Sequence, residues 1–124
     1  MSQSEHVLLA EKLKHQTKLF AIGIIKMYRT LPKTTEAQII SRQLLRSSTS
    51  LAANYRAACR ARSKAEFTAK KCIVVEETDE NVFWIELLVE TNVISLKSIK
   101  GLNAEINELL AIFSTARRTA KGKR

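Results

Sequence analysis

Glycine and proline, the residues that most often interrupt helices, are scarce: the chain has three glycines and one proline in 124 residues. Alanine, leucine, isoleucine, lysine, arginine and glutamate make up most of the remainder, a composition that favours helix. The sequence shows neither an internal repeat nor the alternating pattern of strands. We therefore predict an all-α protein with a single domain over residues 1–124, a length that suits one hydrophobic core.

Histidine and cysteine are also scarce, with two of each. His6 and His15 lie near the amino terminus, and the Glu-x-x-His motif that builds di-iron sites in helical bundles does not occur. Neither Cys59 nor Cys72 belongs to a CxxC motif, so both are predicted to be reduced packing residues. The sequence also lacks a glycine-rich phosphate loop and an evident pairing of a nucleophile with histidine. It thus predicts a non-enzymatic protein without a metal or cofactor.

Long hydrophobic runs are missing as well. No apolar segment approaches the roughly 20 residues needed to cross a bilayer, and the first six residues do not resemble a signal sequence. We therefore expect a cytoplasmic protein that has no membrane partner.

Acidic residues are outnumbered, which gives a formal net charge of +9. Residues 26–71 hold eleven lysines or arginines and two glutamates, whereas residues 72–96 hold six acidic residues and no basic ones. Residues 97–124 return to seven basic and two acidic residues. Two explanations of these blocks remain open. The basic blocks bind a polyanion such as nucleic acid, or they face the acidic block of another subunit.

What the sequence does contain is four amphipathic segments with short connectors. Pro32 is expected to end the first helix, and Thr34 or Thr35 to cap the second. Ser63 and Glu66 have the spacing of a capping box for the third. We predict helices at about residues 7–30, 35–61, 63–91 and 96–118, with a basic tail at residues 117–124. Long helices joined by short connectors favour an antiparallel up-and-down four-helix bundle.

Each predicted helix carries an apolar face with helical spacing. The expected core positions of the first two helices are Leu9, Leu13, Phe20, Ile24, Tyr28 and Leu31, then Ile40, Leu44, Leu51, Tyr55 and Ala58. Those of the last two helices are Phe67, Val74, Thr78, Val82, Ile85 and Val89, then Ile99, Leu102, Ile106, Leu109, Phe113 and Ala116. The last set follows a heptad pattern.

The third predicted helix has a second apolar side, interleaved with glutamates. A monomeric bundle needs only one apolar stripe per helix, so the second predicts a surface buried against another copy of the chain. The candidate oligomer-interface residues are Ile73, Glu76, Glu80, Phe83, Trp84 and Leu87, and Glu86 and Glu90 lie beside them. The alternative is that Trp84 covers the flank of its own bundle.

Arginines line the side of the second helix opposite its core face. Arginine suits both phosphate recognition and bidentate pairing with carboxylates, so the row can bind nucleic acid or join subunits through glutamates of a neighbour. The candidate nucleic-acid-binding residues are Lys26, Arg29, Arg42, Arg46, Arg56, Arg60, Arg117, Arg118 and Lys121. Further surface lysines are expected at Lys12, Lys14 and Lys18 on the first helix and at Lys64, Lys70 and Lys71 on the third.

Two runs carry a resemblance to a known family: RQLLRSSTSLAANYRAACRARSKAEF at residues 42–67 and IVVEETDENVFWIELL at residues 73–88. They resemble the bacterial four-helix proteins of the ribosomal-RNA intervening-sequence family, which are similar to the accessory variability protein of diversity-generating retroelements. The resemblance implies a ring-shaped homopentamer with a positively charged surface. It also implies a reverse transcriptase and nucleic acid as partners. The sequence departs from the family at Ala57, where glutamate is common, and at Ser48, where glycine is frequent.

These observations predict a basic, homo-oligomeric four-helix bundle that binds RNA or DNA through phosphate contacts. The alternative is a protein-interaction scaffold, for example an accessory subunit of a reverse transcriptase, whose charges serve mainly its own subunit interfaces.

Overall fold

The computed structural model describes the backbone of residues 2–122 and the side chains of residues 2–115. Over this part of the chain it contains four long helices and no strand, as the sequence predicts. The helices are α1 (Gln3–Tyr28), α2 (Thr35–Cys59), α3 (Lys64–Glu90) and α4 (Lys100–Gly122), and a short 3-10 turn (Lys97–Ile99) precedes α4. None of the helices in the described chain is long and apolar enough to cross a membrane.

Two predicted caps set the starts of α2 and α3. The Thr34 hydroxyl accepts a hydrogen bond from the Ala37 amide at 3.4 Å, and the Ser63 hydroxyl accepts one from the Glu66 amide at 3.0 Å. These bonds satisfy amides that have no partner within the helix. Only half of the predicted capping box forms at Ser63, because the Glu66 carboxylate lies 3.6 Å from Nε of Arg62 instead.

Several helix ends differ from the predicted positions, and α4 runs from Lys100 to Gly122 rather than over about residues 96–118. Helix α1 begins at Gln3, several residues before residue 7, because Ser2 and Glu5 form a complete capping box that the sequence analysis overlooked. Helix α2 ends at Cys59, before residue 61, because the Arg60 amide bonds to the Ala57 carbonyl in a tighter turn.

One hydrophobic core receives side chains from all four helices, including the predicted Phe20, Leu44, Leu51, Ile85 and Phe113. Residues Leu13, Ile24, Leu31, Tyr55, Ala58, Val74, Thr78, Ile99, Ile106 and Leu109 are also buried as predicted. The predicted positions Tyr28, Ile40, Val82, Val89 and Leu102 are half-buried at the edge of the core, and the side chain of Ala116 lies outside the described residues.

The core face of α3 is rotated relative to the predicted one. Phe67, predicted to be in the core, is 45% exposed, whereas Asn81 and Leu88 are fully buried. Apolar periodicity misses Asn81 because it is polar. Its Nδ2 donates to the Glu77 carbonyl at 2.7 Å, whereas its buried Oδ1 has no hydrogen-bond partner among the described residues. On α1, Leu9 is 38% exposed, so its placement in the core was also wrong.

The helices pack in the order of the chain. Helix α2 contacts α1 and α3, and α4 contacts α3 and α1, whereas no contact joins α1 to α3 in the described chain. A cavity at one end of the molecule is lined by the beginnings of α1 and α3 and by late residues of α2 and α4. Consecutive helices therefore run in opposite directions, and α1 and α3 lie diagonally across the molecule, pointing the same way.

Candidate nucleic-acid interface

The outer face of α2 carries the four predicted arginines, all exposed: Arg42, Arg46, Arg56 and Arg60. These positions share one side of the helix because, at about 100° per residue, all four fall within about 80° of its circumference. The face lies between α1 and α3, which flank α2 in the fold. The arginines nevertheless differ in their surroundings, and the differences decide what each can bind.

Arg46 is held by carboxylates of its own chain. Its Nη1 lies 3.1 Å from Oε2 of Glu77, and its Nη2 donates to Glu80. Burial raises the pKa of Glu77, and the Arg46 charge opposes that rise. Arg46 therefore joins α2 to α3 within one subunit. It was predicted to bind nucleic acid, with pairing to glutamates of another subunit as the alternative.

Arg56 borders a basic groove between α1 and α2. Lys14, His15 and Lys18 line the other side, and the small side chains of α2 leave a volume of about 470 Å³. The groove is lined by Glu11, Lys14, His15, Lys18, Ala52, Ala53 and Arg56. Nζ of Lys14 pairs with Glu11 at 2.9 Å, so the positive charge of Lys18 and Arg56 remains. Phosphate oxygens suit such a groove. The sequence analysis did not identify it, because its two walls are about 40 residues apart in the chain.

Arg42 and Arg60 have no carboxylate partner among the side chains that the structure describes. Lys26 and Arg29 are exposed as well, but they belong to α1 rather than to the arginine face. The side chains of Arg117, Arg118 and Lys121 lie outside the described residues. The predicted nucleic-acid-binding set is thus divided between α2 and α1. On the arginine face, Arg42, Arg56 and Arg60 form no ion pair with any carboxylate that the structure describes.

The predicted interface residues of α3 lie on two neighbouring sides of the helix, one exposed to solvent and one facing α2. Phe83 is 51% exposed, and Glu76 is exposed beside it. Trp84 is half-buried and its Nε1 donates to Glu80 at 3.4 Å, so the indole lies on the side of α3 that faces α2. Ile73 and Leu87 are half-buried. The position of Trp84 fits the alternative in which it covers the flank of its own subunit, and Phe83 is the aromatic ring that remains open to a partner.

A second cluster surrounds the cavity of about 940 Å³ at the end of the molecule. Nζ of Lys71 lies 5.0 Å from the ring centre of Phe113, 5.7 Å from that of Tyr55 and 5.9 Å from that of Phe67. Burial lowers the pKa of Lys71, and burial together with the nearby Cys59 raises the pKa of Tyr55. Lys71 is therefore not the surface cation that the sequence analysis expected, because aromatic rings enclose it.

The two cysteines are free thiols, but Cys59 is exposed at the end of α2 rather than packed as predicted. Among the described residues, no group of three or more histidine, cysteine, aspartate or glutamate side chains is arranged to hold a metal ion.

Comparison with known proteins places this helical arrangement in a family. The chain is similar to a crystal structure of a protein of unknown function from the S23 ribosomal protein family of Bacteroides thetaiotaomicron. The TM-score is 0.76 and the sequence identity 32%, over 84% of this chain and 96% of that one. No functionally curated protein matches. The sequence pattern of the 23S rRNA-intervening sequence proteins matches residues 11–115. The chain therefore belongs to the family of 23S rRNA-intervening sequence proteins.

Proposed function

We propose that this protein is a non-enzymatic homo-oligomer that binds RNA or DNA through phosphate contacts from the outer face of α2. The observation that carries the proposal is a set of exposed arginines beside the basic groove that pair with no carboxylate in the described part of the chain: Arg42, Arg56 and Arg60. Guanidinium groups pair well with phosphate oxygens. Arg46 is not included, because Glu77 and Glu80 already hold it.

The spacing of these arginines suits an extended polyanion. Arg42 lies on α2 and Arg60 caps its carboxyl end 18 residues later, which at a rise of 1.5 Å per residue separates them by about 27 Å. A nucleic acid backbone lying along α2 can contact both, while Arg56 and Lys18 offer a further phosphate site in the groove. Contacts of this kind position a backbone without reading its sequence. The proposed binding is therefore independent of base sequence.

The test removes the three free arginines together, as Arg42→Gln, Arg56→Gln and Arg60→Gln. Binding to labelled RNA and DNA is measured by fluorescence anisotropy over a range of salt concentrations. We expect at least tenfold weaker binding at low salt. The slope of log K against log salt should fall by about 2 to 3 with duplex DNA, because three phosphate contacts are lost.

A matched control removes the same charge elsewhere, as Lys33→Gln, Lys97→Gln and Lys100→Gln, all at exposed positions outside α2. Binding by the control should stay within about twofold of the unaltered protein. Equal losses in the two triple variants would show that total charge, not the α2 face, determines binding. If neither RNA nor DNA binds the unaltered protein at low salt, the proposal is wrong.

The alternative function is a protein-interaction scaffold. The ion pairs of Arg46 with Glu77 and Glu80 favour it, because they show charges of α2 already used to hold helices together. Under this alternative a partner protein, such as the reverse transcriptase implied by the resemblance to the retroelement accessory protein, binds the charged surface. A protein that stays oligomeric but binds no nucleic acid at low salt would favour the scaffold.

The oligomer that we propose is a ring-shaped homopentamer, as the resemblance to ring-forming relatives implies. The exposed ring of Phe83 on α3 supports self-association, because a monomer gains nothing by leaving it in water. Five chains of 14.0 kDa give a particle of about 70 kDa, which native mass spectrometry measures directly. A monomeric mass at micromolar concentration would rule out this part of the proposal.

A further inference from the structure

The outer face of α1 carries exposed apolar side chains that no other helix covers. Leu8 is 70% exposed, Leu19 49% and Ile22 37%. Exposed basic residues alternate with them at spacings of four and three. We define the α1 stripe as Leu8, Lys12, His15, Leu19, Ile22, Lys26 and Arg29. The spacing is that of a heptad seam, which a helix normally buries against a partner.

The outer face of α3 has the same spacing with the opposite charge. We define the α3 stripe as Glu76, Glu80, Phe83, Leu87 and Glu90. Glu80 is already paired with Arg46 within the subunit, so the charge that the stripe offers to another copy comes from Glu76 and Glu90. Phe83 is its most exposed apolar residue, and Asp79 and Glu86 extend the negative charge on one side of it. No lysine or arginine occurs between residues 72 and 96, so the positive charge known to reach this stretch of α3 is that of Arg46, which pairs with Glu77 and Glu80 on the side that faces α2.

The two stripes cannot meet within one subunit. Helices α1 and α3 lie diagonally, each packed against α2 and α4, and no contact joins them in the described chain. Their outer faces therefore point away from the core in opposite directions. One side of the subunit thus presents leucine, isoleucine and lysine, and the other presents phenylalanine and glutamate. These two surfaces are complementary, and they meet when a second copy is placed beside the first.

We propose that the α1 stripe of one copy packs against the α3 stripe of the next, in a head-to-tail contact. The inference rests on the self-association proposed above and names the surfaces that produce it. The apolar residues supply the buried area, and the basic and acidic residues pair around them and disfavour contacts between like stripes. Because the two surfaces differ, the contact repeats and closes into a ring when the rotation between copies allows it.

The heights of the two stripes agree with this contact. Leu13 and Lys71 are the last residues of α1 and α3 to line the same cavity, so we count from them along the common direction of the two helices. Ile22 lies nine residues beyond Leu13, and Phe83 lies twelve beyond Lys71, or about 14 Å and about 18 Å at 1.5 Å per residue. The difference is less than one helical turn. In a ring whose axis is parallel to the helices, Ile22 thus meets Phe83.

The same offset brings together two charges at the other end of the stripes. Arg29 lies 16 residues beyond Leu13, and Glu90 lies 19 beyond Lys71. Lys26 and Arg29 are then used between subunits rather than for nucleic acid, which leaves the α2 face open along the ring. In this arrangement the basic residues of α1 join subunits, and those of α2 bind nucleic acid.

The experiment uses two full-length variants that each destroy one stripe. The first carries Leu19→Asp and Ile22→Asp, and the second carries Phe83→Lys and Glu90→Lys. Native mass spectrometry should give 14.0 kDa monomers for each variant alone. An equal mixture should give a dimer of about 28 kDa, because each variant retains the stripe that the other lacks. Ile39→Asp, at a position on α2 that is 57% exposed, serves as the control and should assemble like the unaltered protein.

Circular dichroism establishes that each variant keeps its helices. The charge pair of Arg29 and Glu90 offers a milder second test. Arg29→Glu and Glu90→Arg should each weaken assembly at least tenfold, and the two together in one chain should restore it. If the unaltered protein is oligomeric but the stripe variants assemble normally, or if the two variants fail to pair, the assignment of the stripes is wrong while self-association stands. A monomeric unaltered protein would overturn both.

Discussion

At the scale of single residues, two charged groups lie against the core with different partners. Glu77 is 8% exposed and is neutralised by Arg46 from the neighbouring helix, which bonds Glu80 at the same time. Lys71 has no carboxylate partner among the described side chains, and aromatic rings surround its ammonium group instead. Ring faces attract a cation, but only partly replace its hydration. On folding, the Glu77 carboxylate thus gains an ion-pair partner, whereas the Lys71 ammonium group loses part of its hydration.

The half-buried Lys71 predicts a pH-dependent stability. The pKa of Lys71 is lowered by burial from its ordinary value of 10.5, so between the folded and unfolded pKa values the unfolded chain binds more protons. The free energy of unfolding that Lys71 contributes therefore rises with pH up to about 10.5. Lys71→Met keeps most of the aliphatic stem and removes the charge. We expect the variant to gain stability relative to the unaltered protein at pH 7 and to lose that advantage as the pH approaches 10.5.

Urea denaturation at pH 7 and at pH 10 measures this difference. Lys64→Met, at an exposed position on the same helix, controls for the loss of one positive charge. The same stability difference between Lys71→Met and the unaltered protein at both pH values would contradict the explanation by burial.

At the scale of helices, the caps and close approaches decide how the elements join. Thr34 and Ser63 start α2 and α3 through local hydrogen bonds, and Asn92, with φ of 62°, ends α3 in a left-handed turn. Asparagine tolerates this conformation better than most residues. The approach of α1 to α4 depends on Gly23, because a Cβ atom there would lie 2.8 Å from Cδ2 of Leu102.

We therefore expect substitutions of Gly23 to change the free energy of unfolding according to the size of the new side chain, because that side chain lies at the α1–α4 contact. Gly23→Ala improves helix propensity by about 1 kcal/mol, and the flexible end of Leu102 can move aside, so we expect a change in unfolding free energy within about 1 kcal/mol. Gly23→Val adds two methyl groups and should destabilise by about 1–3 kcal/mol through overpacking. Urea denaturation measures both variants.

Leu102→Ala provides the corresponding double-mutant cycle. In that background Gly23→Val should cost at least 1 kcal/mol less than in the unaltered protein, because the contacting side chain has been removed. An equal cost in both backgrounds would assign the effect to backbone propensity rather than to the contact with α4.

At the scale of the whole molecule, the uneven charge gives each surface a different sensitivity to salt. The α2 face is basic without apolar residues other than Ile39 near its start, whereas the two stripes combine charges with leucine, isoleucine and phenylalanine. Salt screens exposed charges strongly, with a Debye length of about 3 Å at 1 M, but does not weaken apolar contacts. Nucleic-acid binding and subunit assembly should therefore separate as the salt concentration rises.

We expect 1 M NaCl to release bound RNA or DNA while the oligomer remains intact. Sedimentation velocity with absorbance at 260 and 280 nm follows both components in one experiment. Loss of the oligomer at the same salt concentration that releases nucleic acid would show that the subunits are held mainly by charge, against the apolar contribution assigned to the stripes.

The sequence by itself determined the helices and much of the core. Pro32, Thr34 and Ser63 act on neighbouring residues, and the heptad of α4 depends only on helical spacing, so these features followed from local chemistry. The start of α1 was also readable, since Ser2 and Glu5 have the spacing of a capping box. The exposed arginine face of α2 was predicted for the same reason.

The tertiary structure alone decided which side chains meet. Arg46 and Glu77 are 31 residues apart, the two walls of the basic groove come from different helices, and Lys71 is enclosed by rings from α2, α3 and α4. Periodicity defines a face on each helix but not its rotation about the axis or its neighbours, because those depend on how all four helices fill one core. For that reason the diagonal placement of the α1 and α3 stripes emerged only from the fold.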